Sequence, residues 1–293
     1  MEELNEHITP FPQFSWPQRL KEIPQPPKEM WMNGTLPSFE HVWLTVVGSR
    51  KATEYGTAAC KELIQSLAGL PVVIVSGLAL GIDAIAHQAA LEAGLACVAI
   101  PGSGLHSNVL APAQNHKLAK QIIKNNGCLL SPFPSKYPAA PYTFPTRNRI
   151  MVGLSHAVLI IEATEKSGTL ITARMASDYN RDVGVVPGSI FSPGSIGPHQ
   201  FLSLGATPIF DAASLHSFLR FDAHVSVQQS PSEHLSEHEK TILDSLNEPL
   251  TKSALRDKTN LPQTTFNETI TLLEIKGLIS DILGYVQRRS LPK

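Results

Sequence analysis

Six short runs of apolar residues, spaced along residues 42–187, limit the fold of this chain more than any other feature of its sequence. Each run is nearly continuous, which is typical of strands buried on both faces of a parallel sheet. Segments with helical spacing of apolar residues separate the runs, so we expect an α/β fold with an extended Rossmann-like, doubly wound and mostly parallel sheet. The predicted strands are residues 42–47, 72–76, 96–100, 128–131, 157–161 and 183–187.

The carboxyl ends of these predicted strands carry glycine, serine and basic residues. Ligands of doubly wound sheets bind beyond the carboxyl ends of the strands. One such turn is weak evidence, because glycine after a strand mostly serves turn geometry. Five turns at one edge predict a rim that binds anions. The turns after the first two strands contribute Gly48, Ser49, Arg50, Lys51 and Gly77.

A second group of candidate residues lies between residues 144 and 173. Two arginines flank an asparagine, and a small-residue turn opens a later helix, whose backbone N–H groups would suit an anionic oxygen. The alternative is that the arginines are surface charges and the glycine marks a tight turn. The candidates are Arg147, Asn148, Arg149, Lys166, Ser167 and Gly168.

Aromatic residues of a proline-rich loop precede the two arginines. An aromatic ring beside cationic groups can stack a nucleobase, which contributes roughly 1–3 kcal/mol per base in single-strand binders. We predict stacking for Phe144, whereas packing onto the core is at least as good an interpretation for Phe133 and Tyr142.

The overall charge does not point to nucleic acid, because 24 Lys and Arg oppose 25 Asp and Glu. An anion site must therefore come from local arrangement. Cys60, Cys97 and Cys128 are an odd number of scattered cysteines, which is typical of buried thiols in a reducing compartment. No apolar run is long enough for a membrane span, and residues 1–12 lack the charged-then-apolar pattern of a signal peptide. We expect a cytoplasmic protein.

The sequence contains no familiar catalytic or metal-binding motif. Walker A, H-E-x-x-H, G-x-S-x-G and C-x-x-C patterns are all missing. His87 is best interpreted as a core histidine and Asp83 as a residue that complements a helix start. Glu162 and Glu165 would position Lys166. We therefore predict neither an enzyme nor a cofactor or metal.

Composition divides the chain into four segments. Residues 1–40 are a proline-rich lead-in, residues 41–221 the Rossmann-like domain and residues 222–235 a polar linker. Residues 236–293 show three helical periods and a hairpin, the pattern of a winged-helix domain. Its recognition helix is poor in cations, so DNA reading and protein contact are both open for this module.

With these residues in view, the chain resembles the DprA/Smf family of bacterial DNA-processing proteins. Five ordered motifs carry the resemblance: VGSRKAT, VSGLALGIDAIAH, FPTRNRIMVGLS, EATEKSGTLITA and VPGSIFSPGSIG. The resemblance implies a homodimer that binds single-stranded DNA, protects incoming DNA in natural transformation and loads a RecA-type recombinase. It also implies that Arg50 holds a backbone phosphate, that residues 144–149 contact base and backbone, and that Lys166, Ser167 and Gly168 close the phosphate pocket.

Two positions depart from the family pattern, and one other function class competes. Leu80 stands where the family often has a basic residue, and His199 where it has asparagine. The first change removes a cation from the rim. The alternative function is a nucleotide or sugar-phosphate hydrolase of the phosphoribohydrolase type, but the glutamate that its glycine-rich turn requires is missing here.

Overall fold

The structure is a computed structural model that describes Asn5 and residues 7–165, 167–221, 236–246, 248–275, 278–282 and 285–288. The chain divides into two compact units, Met1–Asp222 and Ala223–Lys293. The predicted linker, residues 222–235, lies outside the described residues, so its boundaries stay a prediction.

The described part of the first unit contains one nine-stranded sheet in the order β1-β2-β6-β5-β4-β3-β7-β8-β9. The strands are β1 (Thr9–Pro10), β2 (Trp31–Gly34), β3 (Val42–Val47), β4 (Val72–Ser76), β5 (Ala96–Ala99), β6 (Cys128–Ser131), β7 (Ala157–Ile160), β8 (Asp182–Val185) and β9 (Thr207–Pro208). Strands β3 to β9 pair in parallel, whereas β2 is antiparallel to β6 and β1 to β2. The predicted mostly parallel, doubly wound α/β sheet is confirmed.

Helices cover both faces of this sheet. They are α1 (Gln18–Lys21), α2 (Glu54–Gln65), α3 (Ile82–Glu92), α4 (His116–Lys124), α5 (Thr143–Leu154), α6 (Thr169–Asp178), α7 (Ile196–Ser203) and α8 (Ala212–Phe218). Helices α2, α3, α4 and α8 contribute to one core, and α1, α5, α6 and α7 to the other. Along β3, Leu44 and Val46 enter the first core while Trp43 and Val47 enter the second. This explains the unbroken apolar runs.

The lead-in and the proline-rich loop form more regular structure than the sequence indicated. Trp31–Gly34 joins the sheet as β2, and Phe11, Trp16 and Leu20 are buried in the second core. Phe144, expected in a loop, lies in the first turn of α5. Proline fits there, because the first turn of a helix needs no backbone N–H donor.

The second unit has its own apolar core. Its elements are α9 (Glu237–Ser245), β10 (Leu250–Thr251), α10 (Lys252–Thr259), α11 (Gln263–Ile275), β11 (Ile279–Ile282) and β12 (Tyr285–Arg288). Strands β10, β12 and β11 pair antiparallel. Ser236 and Glu239 form the expected capping box at the start of α9. The winged-helix assignment of this unit stays a prediction.

Candidate functional site

A cleft of about 690 Å³ lies at the carboxyl ends of the central strands. Its walls come from the turn after β3, the first half of α5 and the start of α6. Nine of the predicted binding residues line it together: Gly48, Ser49, Arg50, Lys51, Phe144, Arg147, Asn148, Ser167 and Gly168. Gly77 lies directly beneath Arg147. Asp83, Thr53, Glu162, Thr164 and Thr169 belong to the same walls, although the sequence did not single out their binding role.

The turn after β3 is held against the start of α3. A Cβ on Gly48 would stand 2.6 Å from Cγ1 of Ile82, so no larger residue fits this turn without displacement of the isoleucine. The Ile82 N–H donates to the Ser49 carbonyl oxygen at 3.1 Å, and the Lys51 N–H donates to Ser49 Oγ at 3.1 Å. These bonds fix the turn, while Arg50 and Lys51 extend into solvent at the mouth of the cleft.

Arg50 and Phe144 contact each other at this mouth. The Arg50 guanidinium carbon lies over the Phe144 ring, 5.0 Å from its centroid. The ring also packs on Gly102, where a Cβ would stand 2.6 Å from its Cδ1 atom. The cation–π contact holds the guanidinium in place. It also covers the ring surface on which we expected a base to stack, so a stacking role for Phe144 stays a prediction.

Arg147 forms the floor of the cleft and is only 5% exposed. Its Nη1 donates to the Ile100 carbonyl oxygen at 2.6 Å, and its Nε donates to Asn148 Oδ1 at 2.6 Å. The Nη2 atom lies 3.8 Å from Asp83 Oδ2. Burial lowers the pKa of Arg147, and the Asp83 carboxylate opposes this shift. Arg147 is therefore a fixed, internally paired cation, unlike exposed Arg50.

Asp83 organises the turn that follows β4. Its Oδ2 atom accepts hydrogen bonds from the backbone N–H groups of Gly77 at 3.1 Å and Ala79 at 3.4 Å. Burial raises the pKa of Asp83, and the nearby Arg147 guanidinium and these N–H groups lower it. The sequence predicted a helix-start role for Asp83. The structure adds the ion pair with Arg147, which residue spacing alone could not reveal.

Glu162 braces the wall of the cleft formed by the start of α2, while its predicted role in positioning Lys166 stays a prediction. Its two oxygens accept from the Thr53 backbone N–H at 3.0 Å and from Thr53 Oγ1 at 2.5 Å. Thr53 in turn caps α2 by accepting from the Gly56 N–H. A Cβ on Gly56 would stand 2.2 Å from Glu162 Oε2, so the glycine leaves room for the carboxylate.

The start of α6 presents small polar groups to the cleft. Ser167 Oγ donates to Thr169 Oγ1 at 2.9 Å and accepts from the Thr169 N–H at 3.2 Å. Thr169 Oγ1 also donates to the Gly48 carbonyl oxygen at 3.2 Å, which ties the two turns together. Gly168 is exposed, and a Cβ there would meet nothing within 4 Å. The turn in front of this helix start is therefore open to solvent.

Two of the predicted cations are not placed in the cleft. Arg149 lines a separate depression and its Nη1 donates to Gln25 Oε1 at 2.5 Å. Arg147 and Arg149 are two residues apart on α5, so they face different sides of the helix. Lys166 lies outside the described residues, and its predicted phosphate contact stays a prediction.

The two positions that depart from the family pattern lie on the same edge of the sheet. Leu80, in the turn before α3, is 41% exposed. A ring nitrogen of His199 lies 3.1 Å from the Gly188 carbonyl oxygen, in the loop after β8. His199 therefore supports this loop through its backbone.

The part of the chain that the structure describes contains neither a candidate metal site nor a candidate membrane-spanning helix. No group of three or more His, Cys, Asp or Glu side chains there could hold a metal ion. None of the described helices is long and apolar enough to span a bilayer.

Comparison with known proteins decides the family. A family model described as DNA recombination-mediator protein A matches residues 7–220, which include most of the lead-in and the whole nine-stranded sheet. The chain belongs to the DNA recombination-mediator protein A family. The resemblance noted in the five sequence motifs is thereby confirmed.

Relatives of this chain include protein Smf of Escherichia coli. It is 38% identical over 224 residues, which are 76% of this chain and 59% of the relative's length. The DNA processing protein DprA of Streptococcus pneumoniae is 38% identical over 208 residues, 69% of this chain and 72% of the relative. The chain thus spans about three fifths of the length of the Escherichia coli relative.

Two solved structures of family members share the fold. The X-ray structure of DprA from Streptococcus pneumoniae has a TM-score of 0.67 at 33% identity, and it covers 74% of this chain and 75% of that one. DNA processing protein A from Helicobacter pylori, for which a single-stranded DNA binding mode is described, has a TM-score of 0.64 at 28% identity. That match covers 72% of this chain and 94% of the Helicobacter pylori chain.

Proposed function

We propose that the cleft binds the backbone of single-stranded DNA. The observation that carries this proposal is the Arg50 guanidinium held over Phe144 at the mouth of the cleft. Lys51 adds a second exposed cation, whereas the carboxylates of Asp83 and Glu162 are buried and hydrogen-bonded. The exposed charge at the mouth is therefore positive, which suits a polyanion on a protein that is neutral overall.

The biological role that follows is that of a recombination mediator. The protein would protect incoming single strands in natural transformation, load a RecA-type recombinase on them and act in the cytoplasm as a homodimer. Family membership supports this role, and the three buried free thiols support a reducing compartment. The C-terminal unit would act as a winged helix that contacts DNA or protein.

The hydrolase alternative receives little support from the cleft. A hydrolase needs a carboxylate or imidazole that can accept a proton from water or substrate. Both oxygens of Glu162 already accept hydrogen bonds from Thr53, and Asp83 is engaged by two backbone N–H groups and Arg147. A sensitive assay for release of free base from nucleoside monophosphates should show no turnover.

Titration of fluorescently labelled oligo-dT tests the binding proposal directly. We expect tighter binding to the single strand than to the same strand in a duplex. With Arg50 and Lys51 at phosphates, the slope of log affinity against log salt should be about −1.4, from about 0.7 per phosphate. Arg50→Ala should weaken binding to all sequences alike and lower the slope by about 0.7.

Lys124→Ala is the matched control for Arg50→Ala. Lys124 is an exposed cation in the last turn of α4, and helices of this fold run against the strands, so their C-terminal ends lie away from the cleft. Its removal should leave affinity and slope unchanged. A wild-type slope near zero, or full affinity in Arg50→Ala, would contradict the proposal.

Recombinase loading needs a separate measurement. The substrate for this measurement is a single strand coated with single-strand binding protein. Addition of the wild-type protein should shorten the lag of the recombinase ATPase on this coated strand, whereas Arg50→Ala should not. An unchanged lag with the wild-type protein would count against the mediator role while leaving DNA binding intact.

A further inference from the structure

The loop between β8 and α7 presents two neighbouring apolar side chains to solvent. Ile190 is 78% exposed and Phe191 is 89% exposed. A single exposed apolar residue is ordinary, but two large ones side by side at the carboxyl edge of the sheet leave a surface that water solvates poorly.

Hydrogen bonds hold the backbone of this loop in place. The Phe191 N–H donates to Ser189 Oγ at 3.2 Å, and the Ser192 N–H donates to the Ser189 carbonyl oxygen at 3.0 Å. Further along, the Ala163 N–H donates to the Gly194 carbonyl oxygen at 2.8 Å, which fastens the loop to the end of β7. The exposure of Phe191 is therefore imposed by a supported backbone.

The same loop continues directly into the wall of the cleft. Ser192, Pro193 and Gly194 line the cleft, and Ser192 follows Phe191 immediately in the chain. Phe191 thus stands where the wall meets solvent. A strand that leaves the cleft on this side would pass its ring.

The cleft itself offers a DNA strand less aromatic surface than the amino-acid sequence suggests. The Arg50 guanidinium lies over the Phe144 ring, and Gly102 packs against the ring edge at Cδ1 and Cε1. A base could reach that face of Phe144 only by displacing the guanidinium. The Phe191 ring is nearly bare, and none of the cations that the structure describes is stacked on it.

We propose that Phe191, with Ile190 beside it, is a stacking surface for a nucleobase of the single strand whose backbone lies in the cleft. This inference rests on the proposed function of the cleft. Stacking on an aromatic ring tolerates every base, because each base has a π-face. The site would therefore add affinity without adding sequence preference.

The test compares Phe191→Ala with the wild-type protein on oligo-dT and on an abasic strand of equal length. Loss of one stack should weaken oligo-dT binding about tenfold, within the range for single base–aromatic contacts. The slope against salt should stay unchanged, because no phosphate contact is lost. Binding to the abasic strand should be equal for both proteins, and Phe191→Trp should retain affinity.

Phe14→Ala is the control, since Phe14 is also 84% exposed but belongs to the lead-in, outside the residues that line the cleft. Wild-type affinity in Phe191→Ala, with the wild-type salt slope present, would overturn the stacking surface and leave the proposed function standing. No binding by the wild-type protein would overturn both. If Phe191→Ala weakened binding to oligo-dT and to the abasic strand equally, and light scattering showed a changed molecular mass, Phe191 would be assigned to contact with a second copy instead.

Discussion

The guanidinium group of Arg147 lies directly on the Cα atom of Gly77. A Cβ at position 77 would stand 1.6 Å from Nη1 of Arg147. The same Nη1 atom donates to the Ile100 carbonyl oxygen, and Nη2 faces Asp83. The glycine of one strand end therefore provides the space in which an arginine from α5 becomes a buried part of the cleft floor.

Gly77→Ala should displace this arginine. The methyl group would break the Arg147 bond to Ile100 and weaken its pairing with Asp83, so we expect a loss of about 1–3 kcal/mol in the free energy of unfolding. Urea denaturation measures this loss. Gly168→Ala is the control, because a Cβ there meets nothing within 4 Å and should leave stability unchanged or slightly raised. Equal stability of both variants would contradict the packing argument.

Arg149→Ala should separate the two arginines of α5 by function. Arg149 binds Gln25 and lies outside the residues that line the cleft. Its loss should change oligo-dT affinity by less than about twofold and leave the salt slope as in the wild type. Arg50→Ala, measured in parallel, should lower both the oligo-dT affinity and the salt slope. A slope reduced by about 0.7 in Arg149→Ala would mean that the strand also follows the second depression.

Glu162→Gln should weaken the wall of the cleft without abolishing the fold. The Glu162 carboxylate accepts one hydrogen bond from Thr53 at each of its two oxygens. A glutamine amide has one accepting oxygen and one donating nitrogen, so one of the two Thr53 donors loses its partner. We expect a loss of about 1–3 kcal/mol, seen as a fall of about 2–4 °C in Tm for each kcal/mol. The control is Glu165→Gln, at an exposed neighbour. A Tm equal to that of the wild type would show that Glu162 braces nothing.

Acid should destabilise the first unit through His87. Burial of this ring in α3 lowers its pKa from 6.5 to about 4. Between these two pH values the unfolded chain binds a proton at His87 and the folded chain does not. Stability is therefore lost as pH falls from about 6.5 towards 4. A single group of this kind contributes about 1.4 kcal/mol per pH unit.

His87→Met should remove this contribution and leave the others. His156, whose pKa burial also lowers to about 4, remains in the variant, so the comparison is between two pH profiles of unfolding. The profile of His87→Met should be flatter than that of the wild type between pH 6.5 and 4. Parallel profiles would show that His87 is not kept neutral by burial.

The apolar runs made the strand positions predictable, because a strand buried on both faces must be apolar throughout. Runs such as Val42–Val47 and Val72–Ser76 are strands at the predicted bounds. Trp31–Gly34 and Thr207–Pro208 were missed. The first lies among prolines and the second spans two residues, so each depends on a neighbouring strand instead of its own pattern.

The sequence by itself determined the α/β sheet and the edge at which its glycine, serine and basic turns meet, because parallel strands bring their carboxyl ends to one side. Only the tertiary structure decided what each cation does there. Arg147 is buried against Gly77 and Asp83, Arg50 stays exposed over Phe144, and Arg149 turns away towards Gln25. Such contacts join residues that are distant in the chain, so packing sets them and residue spacing does not.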